Sequence, residues 1–224
     1  MKTLNHSKYL ALPQRQKKFA KTKIALLQAF TKELTTKNLA SIFIKDLCLE
    51  AEVSEPTFYN YFTSKQHILL YYIQVWSIEM GILAHSLEAK QSSNLQVIRD
   101  IFTTTYKDMV ANPQITLEVI AFEASTRESV RPHEITLAEK WLYFPKDDAV
   151  EKILGMGLKG LLPPLIKKAV DSGELPRDTD QKLLFLLLCS LFFGTSLILI
   201  KNNPDKLPEL IASELDFIFS KVQG

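Results

Sequence analysis

Residues 43–62 read FIKDLCLEAEVSEPTFYNYF, and this stretch predicts two short helices joined by a tight turn. Ser54 stands where an N-cap is required, because its hydroxyl can accept from one of the first backbone N–H groups, which lack an intrahelical partner. Pro56 follows in the first turn, where a missing amide hydrogen removes no helical bond. Leu47, Ala51 and Val53 offer small or apolar positions from the first helix, and Phe58 and Tyr61 answer from the second. Cys48 is small where the two backbones would cross most closely. This layout is a helix-turn-helix, whose second helix presents its N-terminal residues to base edges in the major groove.

Candidate contacts follow from side-chain chemistry. Thr57 can bond a base edge or a phosphate, and Asn60, facing away from the Phe58 side, can reach an adenine edge. Tyr59 and Tyr61 can offer hydroxyls to phosphate, with core packing as the plainer alternative for both. Ser54, Glu55 and Pro56 lie at the helix entrance, and Lys45 supplies charge from the first motif helix. Glu55 suits the helix dipole, opposes phosphate, and can accept from cytosine N4.

The run VSEPTFYNYFTSK, with Ser54, Tyr59, Tyr61, Phe62 and Lys65 at their spacing, resembles the recognition segment of the TetR family of bacterial transcriptional regulators. Leu26, Leu27, Ala29, Phe30 and Leu34 resemble that family's first helix, so the resemblance covers about the first third of the chain. It implies that Lys65 grips phosphate, that a long helix links the DNA-binding head to the body, and that the body encloses an effector cavity. It also implies that the last two helices pair with those of a second subunit in a four-helix bundle. Three positions depart from the pattern. Glu52 occupies the turn where the family has Gly, at a cost of about 1 kcal/mol if φ is positive. Ile42, Phe43 and Ile44 stand where a Thr is usual. Asn38 replaces the Gly after the first helix, where Asn also accepts a left-handed cap.

The net charge of +2 conceals an asymmetry: residues 1–67 hold 11 Lys and Arg against 5 Asp and Glu, and the remainder 16 against 20. A basic end on a mildly acidic body suits phosphate binding. Cys48 and Cys189, far apart in apolar patterns, suit a reducing cytoplasm and not a disulfide framework. The N-terminus has no apolar run long enough for a secretory signal.

The expected organisation is all-α: a three-helix helix-turn-helix head on a larger helical ligand-binding and dimerisation body. Residues 1–16 read as a loose basic arm, 17–64 as the head, and 65–224 as the body. A scaffold helix is expected from about Lys17 to Lys37. Ser64 should cap a helix running to about Lys90, followed by helices from about Leu95 to Asn112 and from Pro113 to about Ser129. Arg131, Pro132 and His133 mark a loop, and ITLAEKWLY a short helix. A helix from Asp148 to Ser172 should bend or break near Leu162, at Pro163 and Pro164. With Gly155, Gly157 and Gly160 this is the most irregular helical region, suited to a hinge or a cavity wall, with two separate short helices as the alternative. The loop SGELPRDTD resembles a turn common in the family's C-terminal halves and offers Thr179 or Asp178 as the next cap.

Residues 183–200, LLFLLLCSLFFGTSLILI, carry no charge over a length at the lower edge of a membrane span. Their small and polar residues favour close helix pairing over a span. Leu187, Ser190, Leu191 and Gly194, with Leu210, Leu215 and Ile218 from a last helix (about Leu207 to Val222), are the expected dimer interface. Leu210, Ile211, Leu215, Ile218 and Phe219 form that helix's stripe. Trp76, Phe102, Tyr106, Phe122 and Trp141 are candidates for a cavity wall, and ordinary core is the competing reading for each.

Neither a phosphate-cradling Gly loop nor paired-Cys or HExxH spacing nor a nucleophile elbow is present. The histidines His6, His67, His85 and His133 are scattered. No enzyme, metal or cofactor is therefore expected. The expected partners are duplex DNA, a second copy of the chain and a small apolar effector. The resulting expectation is a dimeric, ligand-released repressor reading a palindromic operator. A membrane-attached helical protein using Leu183–Ile200, and a small-molecule-binding helical protein without DNA binding, are the alternatives.

Overall fold

Side-chain acceptors at Ser54, Ser93, Thr136 and Asp180 mark the starts of four helices in this chain. The computed structural model describes residues 4–125, 131–132 and 134–223, and contains eleven α-helices and no strand among them. These are α1 (Leu4–Ala11), α2 (Gln14–Leu34), α3 (Ile44–Glu50), α4 (Glu55–Tyr61), α5 (Lys65–Ala89), α6 (Asn94–Ala111), α7 (Pro113–Ser125), α8 (Leu137–Tyr143), α9 (Leu158–Asp171), α10 (Gln181–Leu199) and α11 (Leu207–Gln223). The expected end of the seventh helix at Ser129, and His133, lie outside the described residues.

Two compact units form. One contains residues up to Ile78 together with Ala121–Gly155, and the other contains Glu79–Ile120 and Met156–Gly224. Neither coincides with a division at residue 65, because α8 packs on α1 and α2. In the first unit Ala20, Ile24, Leu27, Phe30 and Leu34 bury one face of α2, at helical spacing. The loose arm is replaced by α1. Asn5 donates through Nδ2 to the carbonyls of Phe144 (3.3 Å) and Asp147 (2.8 Å), and the buried Tyr9 packs with Ala20 and Ala138. These tertiary contacts are invisible in a local reading of a basic, glycine-free arm.

Asn38 does not take a left-handed cap. At φ −75° and ψ 160° it is the N-cap of a 3₁₀ turn, Leu39–Ser41, accepting from the Ser41 amide at 2.9 Å. The helix expected from Asp148 to Ser172 breaks at residues 153–157, after a 3₁₀ turn over Asp148–Lys152, and α9 runs unbroken through Pro163 and Pro164. Both prolines lie on the exposed side, so the carbonyls of Lys159 and Gly160 that lose amide partners can meet water. Glycine governs the break instead. Gly157 has φ 62° and ψ −155°, a region open only to glycine, and a Cβ on Gly155 would lie 2.8 Å from the Gln74 carbonyl of α5.

In the second unit α6 packs on α9 and α11, and α10 packs on α9 and α11. Phe102, Tyr106 and Phe192 meet at ring separations of 5.5–6.0 Å, and the Tyr106 hydroxyl donates to the Phe192 carbonyl at 3.1 Å. Ser93 caps α6. Asp180, and not Thr179 or Asp178, caps α10, accepting from Leu183 N at 2.9 Å. The turn before it is pinned by Gly173 at φ 78° and by Glu174, whose carboxylate accepts from the amides of Asn94 and Leu95, both at 2.9 Å. Helices α5 and α10 are long and apolar enough to cross a membrane by length and composition.

Candidate nucleic-acid interface

The turn between α3 and α4 is a Schellman ending in which Glu52 holds the left-handed position. Its φ is 55°, its amide donates to the Leu49 carbonyl at 3.2 Å, and the Val53 amide reaches the Cys48 carbonyl at 2.9 Å. The departure from Gly thus leaves the turn's shape intact and places the strain on one glutamate. Ser54, extended at φ −84°, caps α4 by accepting from Thr57 N at 3.4 Å, and its hydroxyl meets Thr57 Oγ1 at 2.8 Å. Pro56 falls in the first turn, as its missing hydrogen requires.

The inner face of the motif is apolar. Leu47, Cys48, Phe58 and Phe62 are buried, Phe58 and Phe62 lie 5.9 Å apart, and burial pushes the Cys48 thiol up from its usual pKa, with Glu55 adding to it. The outer face is polar: Lys45, Ser54, Glu55, Pro56, Tyr59 and Asn60 are exposed, and Thr57 is half-buried. Tyr61 is half-buried and its ring lies 4.7 Å from Phe19 of α2, which makes it a packing residue first. Phe43, the extended residue before α3, and Leu49 on α3 also stand exposed, a feature that helical periodicity in so short a helix does not signal.

Behind α4 a buried ion pair ties three helices together. Lys23 Nζ lies 2.9 Å from Glu139 Oε1, with both side chains at most 3% exposed, and 4.1 Å above the Tyr71 ring. The Tyr71 hydroxyl donates to the same carboxylate oxygen at 2.7 Å. Glu139 also closes a capping box with Thr136 at the start of α8. Burial, then the neighbouring Glu139, holds the Tyr71 phenol above its ordinary pKa. Sequence reasoning missed this pair, since Lys23 and Glu139 are far apart in the chain.

Lys65 is not placed as the resemblance implies. Its Nζ donates to the carbonyls of Leu39 (2.7 Å), Ala40 (3.0 Å) and Ile42 (2.8 Å), taking up all three N–H donors of an ammonium. Other basic residues counted toward the charged end are similarly engaged: Lys17 on the Leu10 carbonyl, Lys8 with Glu151, Lys32 with Glu50 and Lys37 with Glu33.

The cavity-wall candidates divide between the two units. Phe102 and Tyr106 lie fully buried side by side in the second. Trp76, Phe122 and Trp141 belong to the first, where Trp141 packs on the Tyr9 cluster and donates from Nε1 to Glu151 at 3.1 Å. The dimer candidates also divide. Leu187, Ser190 and Leu210 are exposed and Gly194 and Ile218 half-buried, whereas Leu191 and Leu215 are buried within the subunit. The α11 stripe is therefore two stripes: Leu207, Ile211, Leu215 and Phe219 face inward, and Leu210, Phe217 and Ile218 face away. The outer apolar residues missed are Leu183, Leu186, Leu197, Ile198 and Phe217, each at least half exposed. The i, i+3, i+4 recurrence of 183, 186, 187, 190, 194, 197 and 198 carries that signal. Among the described residues no cluster of His, Cys, Asp and Glu could hold a metal ion.

No family model and no curated protein matches the sequence. Solved structures do match the fold. Thermus thermophilus FadR, a TetR-family transcriptional repressor in complex with lauroyl-CoA, is 17% identical over 88% of this chain and 92% of that one, with a TM-score of 0.64. Bacillus subtilis FadR in complex with stearoyl-CoA is 17% identical over 88% and 97%, with a TM-score of 0.59. A TetR transcriptional regulator from Rhodococcus sp. RHA1 is 17% identical over 92% and 97%, with a TM-score of 0.55. From its helix-turn-helix to its last two helices, this chain has the fold of the TetR-family transcriptional regulators.

Proposed function

We propose that the chain is a DNA-binding transcriptional regulator, a repressor released by a small molecule, acting as a homodimer on a palindromic operator. The observation that carries the reading is α4: a capped helix whose inner face is sealed by Phe58 and whose outer face offers Ser54, Thr57, Tyr59 and Asn60. Exposed Lys45, and Arg15, Lys18 and Lys21 along α2, supply phosphate contacts. Thr57 and Asn60 read bases.

The dimer forms through α10 and α11. Their outward stripe is apolar, and an open groove of about 340 Å³ between them, lined by Leu191, Ser213, Glu214, Phe217 and Ile218, accepts a side chain of the second copy. Thr195 donates to Glu214 at 2.9 Å beside that groove. A carboxylate on this face suits a protein partner and disfavours a bilayer. The effector is a small, largely apolar molecule bound in the helical body. Acyl-CoA thioesters, whose acyl chain supplies such an apolar part on a large charged carrier, are the first class to test, because two regulators of this fold were solved with one. Residues of α5 belong to both units, so a shift of this helix is the proposed route from effector to head.

Selection of genomic fragments by the purified protein tests the reading. A symmetric site should emerge, and Thr57→Ala or Asn60→Ala should relax preference at particular bases. Recovery of random sequence with equal losses for both variants contradicts it.

A further inference from the structure

Lys65 is the first residue of α5, just beyond the motif, and its side chain turns back toward the residues that precede it. The acceptors are the carbonyls of Leu39, Ala40 and Ile42, from 23 to 26 positions earlier. These carbonyls need a partner for a local reason. The 3₁₀ turn Leu39–Ser41 is only three residues long, and Ile42 (ψ 127°) and Phe43 (ψ 132°) then run extended, so no following helical turn supplies amides to them. Ile42 and Phe62, at the two ends of the motif, are each 1% exposed. An ammonium is suited to converging carbonyls, because its three N–H groups radiate from one atom.

The geometry assigns Lys65 to a staple. It joins the entry of the helix-turn-helix (residues 39–42) to its exit (residue 65), fixes the approach of α3 and α4, and does not touch DNA. It is a positioning residue, and the inference rests on the DNA-binding reading above only for its effect on affinity. Phosphate contacts then fall to groups with free donors on the outer surface, Lys45 foremost.

The test compares full-length wild type, Lys65→Met, Lys65→Arg and Lys45→Met, measuring thermal midpoints without DNA and affinity for one selected duplex across a salt series. For Lys65→Met the midpoint falls, affinity drops about tenfold or more, and the slope of log K against log salt is unchanged. For Lys45→Met the midpoint holds and the slope falls by about 0.9, the loss of one phosphate contact. Lys65→Arg decides the matter should Lys65→Met not fold. A planar guanidinium cannot aim its donors into three converging carbonyls, so a staple is weakened, whereas a phosphate contact is kept or strengthened by Arg. The staple is overturned if Lys65→Met lowers the slope by about 0.9 at an unchanged midpoint, or if Lys65→Arg binds as well as wild type. If wild type binds no duplex at all, the regulator reading fails, and the Lys65 midpoints alone still decide the staple.

Discussion

Each of the two units is held together internally by its own chemistry. In the one that carries the helix-turn-helix, ammonium groups do the joining: Lys23 pairs with Glu139, Lys65 gathers three carbonyls, Lys17 takes the Leu10 carbonyl, and Lys140 donates to the carbonyls of Glu151 (3.3 Å) and Ile153 (2.7 Å). In the other unit the interior is aromatic, with Phe102, Tyr106 and Phe192 meeting at tilted and edge-on angles. Glu174 is bonded to the first amides of α6, and the ion pairs Lys168–Glu88 and Arg99–Asp216 lie nearer the surface. The first unit thus buries two ammonium groups, Lys23 and Lys140, and the second presents Leu183, Leu186, Leu197, Ile198 and Phe217 outside. Lysines counted as charge for phosphate can be structural instead, and apolar residues counted as core can face a partner.

The contrast is most exposed at Lys23. Lys23→Met leaves Glu139 buried without its counter-charge and should cost about 3–5 kcal/mol in urea unfolding. Adding Glu139→Leu should recover much of that loss, since a buried pair is often replaceable by apolar residues. If Lys23→Met costs nothing, the ionic character of this interior is wrong.

Glu174→Ala removes the acceptor of the first two α6 amides, leaving the Ser93 cap in place, and should cost about 1–2 kcal/mol near neutral pH. Burial pushes the Glu174 carboxyl up, but bonds from the Leu95 and Asn94 amides, the Asn94 side chain and the Ser172 hydroxyl outweigh it and leave the carboxyl below its usual value. A depressed folded pKa contributes stability above the unfolded value, about 4.3, and loses it as pH falls through the folded one. The gap between wild type and Glu174→Gln should therefore shrink on acidification below about pH 4. A gap that widens there contradicts the capping role.

Tyr106→Phe deletes one hydroxyl from the aromatic cluster while keeping the ring, and should cost about 1 kcal/mol by the same unfolding measurement. The smallest effect is a gain: Glu52→Gly relieves a left-handed glutamate and should stabilise by at most about 1 kcal/mol. Loss of stability there means the side chain has a role that its exposed position does not reveal.

What was legible in the sequence was local. Ser54 and Ser64 announce helix starts because the acceptor and the amides it serves lie within a few residues, and Pro56 is at home in the first turn. The two short motif helices and the long α5 follow from the same signals, and the final α11 from its apolar periodicity. Distant pairings were not legible. Nothing near Lys65 points to carbonyls at 39–42, and nothing in the arm shows that Asn5 will find Phe144 and Asp147. The α11 stripe was read as one face because its two apolar rows, 207/211/215/219 and 210/217/218, interleave at helical spacing. Pro163 and Pro164 suggest a break near Leu162, but solvent can serve the carbonyls they orphan, and of the glycines in the same irregular region Gly155 and Gly157 mark the true break.

The account stands or falls on two copies of α4 engaging one duplex together. Light scattering of the purified chain with a selected duplex, repeated as salt is raised, measures this directly. The expected result is a complex of two chains on one duplex that dissociates steeply with added salt. A single chain in solution that ignores duplex at low ionic strength would contradict it.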